Sequence, residues 1–176
     1  MGCVTPFDDQ YTISYEKHRT MDVIRLTDIL AESSIVADLQ MSTKTDVLEA
    51  LVDAMTKSEP ALDKEEILRV LLEREALGST GIGDGIAIPH GKCSNLSQIV
   101  SGFGLSKTGI DFDSLDGKPA YLFFLLVAPE NSVGTHLKML ARISRMLKNN
   151  DFRNKLLHAS SQHEIYRIIS EEDAKY

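Results

Sequence analysis

Apolar residues recur at helical spacing in two consecutive segments of the N-terminal half. The first segment begins at Ser42 or Thr43, either of which suits a helix N-cap, and ends at Glu59-Pro60. The second begins at Asp63 and ends at Leu77-Gly78, where glycine suits the left-handed position after a helix. The apolar stripes of the two segments are Leu48, Leu51, Val52 and Met55, and then Ile67, Leu68, Leu71 and Leu72. The pattern predicts two amphipathic helices in succession.

Apolar runs without helical spacing predict strands at residues 35–39, 99–105 and 120–128. The run at 120–128 is apolar throughout, which is typical of a central strand covered on both faces. Asp116-Gly117, just before it, is a strong turn signal. We therefore expect one α/β domain in which helices cover both faces of a sheet.

Three further helices are predicted in the C-terminal part, and one short helix from Leu26. The first of the three covers residues 134–148, and the other two cover residues 152–158 and 164–169, with Asp151 and Ser161 as starts. The side chains expected to face the core from the helix at 134–148 are Leu137, Leu140, Ala141, Ser144 and Leu147.

Composition narrows the class of protein. A chain of 176 residues that is 43% hydrophobic can form one sizeable core. The formal net charge of -7 disfavours nucleic acid as a partner, because binding phosphate backbones needs a basic face. No window has the length and apolar content of a membrane span, and the start lacks the order of a secretory signal, so we expect a cytoplasmic protein. Residues 1–20 are polar without a sustained period and are predicted to be a flexible extension.

The glycine-rich stretch at residues 78–92, Gly-Ser-Thr-Gly-Ile-Gly-Asp-Gly-Ile-Ala-Ile-Pro-His-Gly-Lys, invites comparison with nucleotide-binding loops. A P-loop needs four residues between its first glycine and Gly-Lys, whereas five separate Gly85 from Gly91, and Cys93 stands where Ser or Thr belongs. The dinucleotide fingerprint also fails, because Ile86 occupies the position of its third glycine. Neither nucleotide motif is present.

Three side chains at the ends of predicted elements are candidates for chemistry. His90, between a proline and a glycine, is either a neutral imidazole nucleophile or a histidine that merely ends a strand. His136 opens the helix after the most buried strand, and it is either a site residue or an exposed helix start. Arg74 either binds a phosphate or stabilises the negative end of its helix. Cys93 could join His90 and His136 in a metal site, but these residues are not at the short sequence spacing of metal ligands. No metal or other cofactor is therefore expected.

Residues 78–92 resemble the phosphorylation-site motif of the fructose/mannitol-type (type 2) enzyme IIA domain of the bacterial phosphoenolpyruvate-dependent phosphotransferase system. The likeness is greatest to its stand-alone nitrogen-regulatory IIA proteins. The resemblance implies a domain over residues 21–173 with a mixed β-sheet flanked by helices. It also implies that His90 is the phosphorylated histidine, that His136 is the second active-site histidine, and that Arg74 is the active-site arginine.

The same resemblance implies a phosphotransferase whose donor is phosphorylated HPr or its nitrogen-branch counterpart. Two roles stay open at this point, a regulatory IIA protein and a sugar-transport component that passes the phosphoryl group to a IIB acceptor. The sequence favours regulation, since neither a fused IIB domain nor a membrane segment is present in it. It gives no indication of sugar specificity, regulated partner or oligomeric state.

Overall fold

The computed structural model describes residues 24–176. The predicted extension at residues 1–20 lies outside the described residues, and the domain limits 21–173 stay a prediction. The elements of the described part, after a 3-10 turn at Leu26–Asp28, are β1 Leu30–Val36, α1 Lys44–Ser58, α2 Lys64–Ala76, β2 Gly81–Gly83, β3 Ile86–Ala87, β4 His90–Cys93, β5 Val100–Ile110, β6 Ala120–Pro129, α3 Val133–Leu147, α4 Asn150–His158 and α5 Gln162–Asp173.

The strands form one mixed sheet in the order β1-β5-β6-β3-β2, with β4 also paired to β6. β1 is parallel to β5, and β3 and β4 are both parallel to β6. The β5–β6 and β2–β3 pairs are antiparallel. β3 and β4 follow one another along the same edge of β6, so β6 is the strand against which the glycine-rich stretch is built. The predicted mixed sheet is confirmed.

Strand β6 sends alternate side chains into two separate cores. Leu122, Phe124 and Leu126 pack with helices α3, α4 and α5. Leu125 and Val127 point the other way and pack with α1 and α2. A strand buried on both sides needs apolar residues at every position, which is why its sequence shows no alternation. The predicted cover of helices on both faces is confirmed.

Three predicted helix starts are confirmed by their capping hydrogen bonds. Thr43 Oγ1 accepts from the backbone N–H of Asp46 at 3.2 Å. Asp63 and Ser161 likewise accept from the backbone N–H three residues later, at 3.1 Å in each case. Each cap satisfies a backbone donor that has no partner inside its own helix.

Other boundaries are displaced from the prediction. The first strand is Leu30–Val36 instead of residues 35–39, because it contains Ser34, which is buried with its hydroxyl bonded to Ser58 and so breaks the apolar pattern. The fourth helix is capped by Asn149 instead of Asp151. The last helix is Gln162–Asp173, longer than the predicted 164–169, because the polar residues at its end are buried and paired.

The predicted buried face of α3 is wrong at Leu137 and Ala141, whereas Leu147 is buried as predicted and Leu140 packs against the core. Leu137 is 60% exposed, and Ala141 is also exposed. The fully buried side chains of this helix are Leu147 and four that the pattern does not predict, His136, Met139, Ile143 and Met146. Because this line of buried side chains begins with a histidine, the helix brings an imidazole into the edge of the core. Leu137, which the pattern assigns to the core, lies at the surface.

Candidate functional site

His90 is the first residue of β4 and lies opposite Leu126 of β6. Side chains alternate along a strand, so His90 and Lys92 share one side of β4 while Gly91 and Cys93 are buried on the other. The imidazole is half-buried and built into the sheet. Its position is therefore fixed by strand pairing as well as by the preceding proline.

Gly91 allows helix α2 to come close to this strand. A Cβ at this position would lie 3.1 Å from Val70 Cγ2, which is tighter than an ordinary contact. The close approach sets the last turn of α2, with Arg74, beside the start of β4. The close packing of α2 on β4 therefore explains why a glycine follows the histidine.

The hydrogen bond of His90 defines the state of its ring. Nδ1 lies 2.8 Å from the carbonyl oxygen of Ile88. A carbonyl only accepts hydrogen bonds, so Nδ1 carries the proton and Nε2 keeps a free lone pair. Burial lowers the pKa of His90, the bond to Ile88 opposes this, nearby Arg74 lowers the pKa further, and the charge of Glu75 opposes it. Because the net shift is downward, the ring is neutral at pH 7.

His136 lies in the first turn of α3, directly after β6 ends, with its backbone N–H bonded to the Ser132 carbonyl at 2.9 Å. Its ring centroid is 5.7 Å from that of His90, with 62° between the ring planes. The residue is only 5% exposed, and within the described part of the chain its Nε2 has no hydrogen-bond partner. Burial, followed by the charges of His90 and Lys92, lowers the pKa of His136 to about 4.

Arg74 occupies the last turn of α2 and donates from Nη1 to the carbonyl of Gly78 at 3.0 Å. This contact places the guanidinium near the carbonyl end of the helix, where a cation is favoured. It uses one N–H of a group that has five. Both interpretations of Arg74 from the sequence are therefore compatible, since helix-end contact leaves donors for an anion.

His90, His136 and Arg74 line one cleft of about 890 Å³ between α2, β4 and the start of α3. Lys92 and Glu130 also line it. Two exposed leucines stand at its wall, Leu77 at 86% and Leu137 at 60% exposure. The structure thus brings together all three candidates, and it adds an apolar surface that the sequence pattern did not indicate.

Cys93, the fourth residue considered for a site, is buried in the core on the other side of β4. Within residues 24–176 no group of three or more His, Cys, Asp or Glu side chains could hold a metal ion. Over the same range, the helices are too short or too polar to cross a bilayer.

Sequence reasoning missed Glu75, whose carboxylate lies at the end of α2 and binds the glycine-rich stretch at Thr80. The only signal is an acidic residue next to Arg74, which does not stand out in a helix rich in glutamate. It also missed Leu137 as a surface residue, because an apolar side chain at helical spacing is assigned to the core by pattern.

A family model described as "Phosphoenolpyruvate-dependent sugar phosphotransferase system, EIIA 2" matches residues 28–172. The chain therefore belongs to the type 2 EIIA family of this phosphotransferase system. The family resemblance inferred from residues 78–92 is confirmed.

Relatives with regulatory and with transport names are both similar to the chain. It is 39% identical over 145 residues to a nitrogen regulatory protein of Bradyrhizobium diazoefficiens, covering 82% of this chain and 94% of that protein. It is 37% identical over 150 residues to the fructose-specific EIIABC component of Bacillus subtilis, covering 85% of this chain but 24% of that longer protein. The crystal structure of nitrogen regulatory protein IIA-Ntr from Neisseria meningitidis superimposes with a TM-score of 0.74 at 34% identity, covering 81% of this chain and 97% of that one.

Proposed function

We propose that the protein is a phosphoryl carrier in which Nε2 of His90 accepts the phosphoryl group from a phosphorylated HPr-like protein. The lone pair of Nε2 attacks phosphorus as the donor's P–N bond breaks, and the donor nitrogen regains its own lone pair. The proton on His90 Nδ1 stays on the ring, so no proton has to leave during the transfer. The Ile88 carbonyl stabilises the positive charge that develops on the imidazole.

The observation that carries this proposal is the hydrogen bond between His90 Nδ1 and the Ile88 carbonyl, 2.8 Å long. It selects the tautomer in which Nε2 is a nucleophile, and burial keeps the ring neutral by lowering its pKa. A histidine that only ended a strand would not need a fixed tautomer.

Arg74 and His136 are proposed to stabilise the phosphoryl group. The transition state of such a transfer spreads negative charge over three equatorial oxygens, and a guanidinium offers those oxygens a planar fork of donors. A phosphoryl group on His90 also brings acceptor oxygens beside the ring of His136, whose Nε2 has no partner among the described residues. We assign Arg74 to charge stabilisation and His136 to orientation, with no metal ion or nucleotide needed.

The exposed leucines of the cleft support a protein, and not a small molecule, as the donor. Leu77 and Leu137 extend the site outwards as an apolar surface, which a folded carrier could cover while its phosphohistidine enters the cleft. A small phosphorylated metabolite would leave these side chains in water. The HPr-like donor expected from the sequence fits this surface.

Labelling with 32P-labelled phosphoenolpyruvate, enzyme I and HPr tests the carrier role. The wild-type protein should take up label that is lost in acid, as a phosphohistidine is, and His90→Ala should take up none. His158→Ala is the matched control, because His158 is exposed and lies outside the cleft. Label that persists in His90→Ala, or a wild type that no HPr-like donor phosphorylates, would overturn the proposal.

We propose that the carrier acts mainly as a regulatory protein of the nitrogen type, supported by its likeness to the Bradyrhizobium and Neisseria proteins over nearly their whole length. Phosphorylation adds negative charge beside the exposed leucines of the cleft, which would weaken the docking of one partner and favour that of another. The cytoplasmic location expected from the sequence stays a prediction.

Transport is the second candidate, supported by the 37% identity to a fructose-specific component. The two roles differ in the fate of the phosphoryl group once it is on His90. Incubating the 32P-labelled protein with fructose- and mannitol-type IIB domains from the same host should leave the label in place if the protein is regulatory. Rapid transfer to one of them would establish the transport role.

A further inference from the structure

Glu75 is a buried carboxylate next to Arg74 that the proposed transfer does not use. Its side chain is 8% exposed. One oxygen accepts from the Thr80 backbone N–H at 2.9 Å and from the Thr80 hydroxyl at 2.6 Å, and the other accepts from Lys44 Nζ at 2.9 Å. Burial raises the pKa of Glu75, but the hydrogen bonds from Thr80 and Lys44 outweigh it and the pKa is lowered overall. The group is therefore an ionised, fully paired anchor.

A short path of hydrogen bonds joins this anchor to the ring of His90. The Thr80 carbonyl accepts from the Ile88 N–H at 3.0 Å, and the Ile88 carbonyl accepts from His90 Nδ1 at 2.8 Å. Thr80 is 4% exposed, so few solvent molecules can replace a lost partner. A shift of Thr80 would pass to Ile88 through their shared bond, because the two residues flank the antiparallel pair formed by β2 and β3.

Glu75 is also held in place by a lysine from helix α1. Lys44, at the start of α1, pairs with Asp113 at 2.7 Å as well as with Glu75, and its ammonium lies 5.2 Å from the centre of the Phe112 ring. The carbonyl of Phe112 in turn accepts from the Ser79 hydroxyl at 2.6 Å. Two helices and the loop before β6 thus converge on residues 79 and 80, and Glu75 is the group that contacts Thr80 directly.

We infer that Glu75 is a positioning residue for the phosphoryl transfer: by holding Thr80 it sets the place of the Ile88 carbonyl, and so keeps the proton of His90 on Nδ1. The inference rests on the proposed function, since it takes Nε2 of His90 as the acceptor. A carboxylate that only stapled α2 to the loop would support stability without affecting the tautomer. The two roles can be separated by observing the ring itself.

The test combines 15N NMR of the histidine rings with single-turnover phosphorylation by phosphorylated HPr. In the wild type at neutral pH, the His90 signals should be those of a protonated Nδ1 and an unprotonated Nε2. Glu75→Ala should move them toward a mixture of the two tautomers and slow phosphorylation about tenfold to a hundredfold, the usual cost of misplacing a reacting group. Glu65→Ala is the matched control, because it removes an exposed glutamate from the same helix and outside the cleft.

Thr80 provides a second arm that changes less of the fold. Thr80→Val removes only the hydroxyl bond to Glu75 and should slow phosphorylation about threefold to tenfold with a smaller shift of the NMR signals. Thr80→Ser retains the hydroxyl and should restore most of the rate. If Glu75→Ala does not fold, Thr80→Val and Thr80→Ser test the positioning role of Glu75 in its place.

The inference would be overturned if Glu75→Ala kept the ring signals and the phosphorylation rate of the wild type, whatever happened to its melting temperature. If Glu75→Ala does not fold, the same result in Thr80→Val would overturn it. Failure of the proposed function looks different. In that case the wild type itself is not phosphorylated at His90, while the ring signals still report whether Glu75 fixes the tautomer.

Discussion

Buried polar groups lie at both ends of helix α3, and the two ends differ in whether those groups have partners. Near its end, Arg142 pairs through Nε with Asp173 of α5, whose side chain is 1% exposed, and its Nη2 donates to the Asp173 carbonyl at 2.8 Å. The neighbouring Glu172 accepts from Asn149 at 2.9 Å and from Lys175. Each buried carboxylate in this C-terminal cluster, which comprises Arg142, Asn149, Glu172, Asp173 and Lys175, therefore has a donor.

At its start, the same helix buries His136 with a ring nitrogen that lacks a partner among the described residues. Buried polar groups in proteins are normally hydrogen-bonded, and leaving one unpaired costs about 1 to 3 kcal/mol. The C-terminal cluster is complete without any other molecule. His136 leaves one buried nitrogen unpaired among the described residues. An unpaired nitrogen at this place is what the proposed contact of His136 with a phosphoryl group on His90 requires.

The largest expected effect is on the C-terminal cluster. Arg142→Met should lower the free energy of unfolding by about 3 to 5 kcal/mol, because it leaves the Asp173 carboxylate buried without its partner. Urea denaturation measures the loss. Folded Arg142→Met should still be phosphorylated, since Arg142 does not line the cleft.

Arg145→Met is the control for this experiment, because Arg145 is an exposed arginine one turn along the same helix. Arg145→Met should lower the free energy of unfolding by no more than about 1 kcal/mol. Adding Asp173→Leu to Arg142→Met should recover part of the stability by removing the unpaired charge. Equal losses from both arginine variants would show that the cluster does not hold the fold.

Acid should lower the free energy of unfolding through His136, at the start of α3. The pKa of this ring falls from 6.5 to about 4 on folding, so between these values the unfolded chain binds more protons than the folded one. Stability therefore falls as the pH drops from 6.5 to 4, and at about 1.4 kcal/mol per pH unit the loss reaches about 3 kcal/mol. Carboxylates such as Glu172, whose pKa is lowered, contribute their own loss mainly below their ordinary value of 4.5.

The contribution of His136 is isolated by comparing urea denaturation of the wild type and His136→Phe at pH 7 and pH 4.5. The variant should lose less stability on acidification, because it lacks the titrating ring. Parallel losses in the two proteins would mean that His136 is protonated as readily in the fold as in the unfolded chain.

At pH 7 the same substitution should change stability and activity in opposite directions. His136→Phe removes an unpaired nitrogen from the protein interior and should raise the free energy of unfolding by about 1 kcal/mol. It should also slow phosphorylation of His90 about a hundredfold, as the loss of one donor to a transition state does. If stability fell and the rate did not, His136 would be a residue that holds the fold, like those of the C-terminal cluster.

Much of this architecture could be predicted from local pattern. The run at residues 120–128 has to be buried on both faces because it has no polar side, and Asp63 has to open a helix because an apolar stripe follows it. His90, His136 and Arg74 could be predicted because each lies at one end of a predicted element. That they line one cleft depends on the approach of α2 over Gly91, which is a tertiary contact.

What failed was the choice between two apolar faces on α3. Leu137 and Leu140 form one stripe, and Met139, Ile143 and Met146 form another. Treating His136 as polar favours the first stripe, whereas the fold buries the second stripe and His136 with it. The hydrogen bonds from Glu75 to Thr80 were beyond prediction as well, since they cross a turn whose geometry the sequence does not define.

The misassigned leucine leads to the smallest effect on stability. Leu137→Asn should change the free energy of unfolding by less than about 0.5 kcal/mol, because the side chain is already 60% exposed. Its loss should raise the KM for phosphorylated HPr several-fold with kcat unchanged, since docking contacts bind donor and transition state equally. Leu115→Asn is the control, as Leu115 is 81% exposed but outside the cleft, and it should change neither quantity. Equal kinetics for the two variants would remove Leu137 from the docking surface, while a large loss of stability would return it to the core that the sequence pattern predicts.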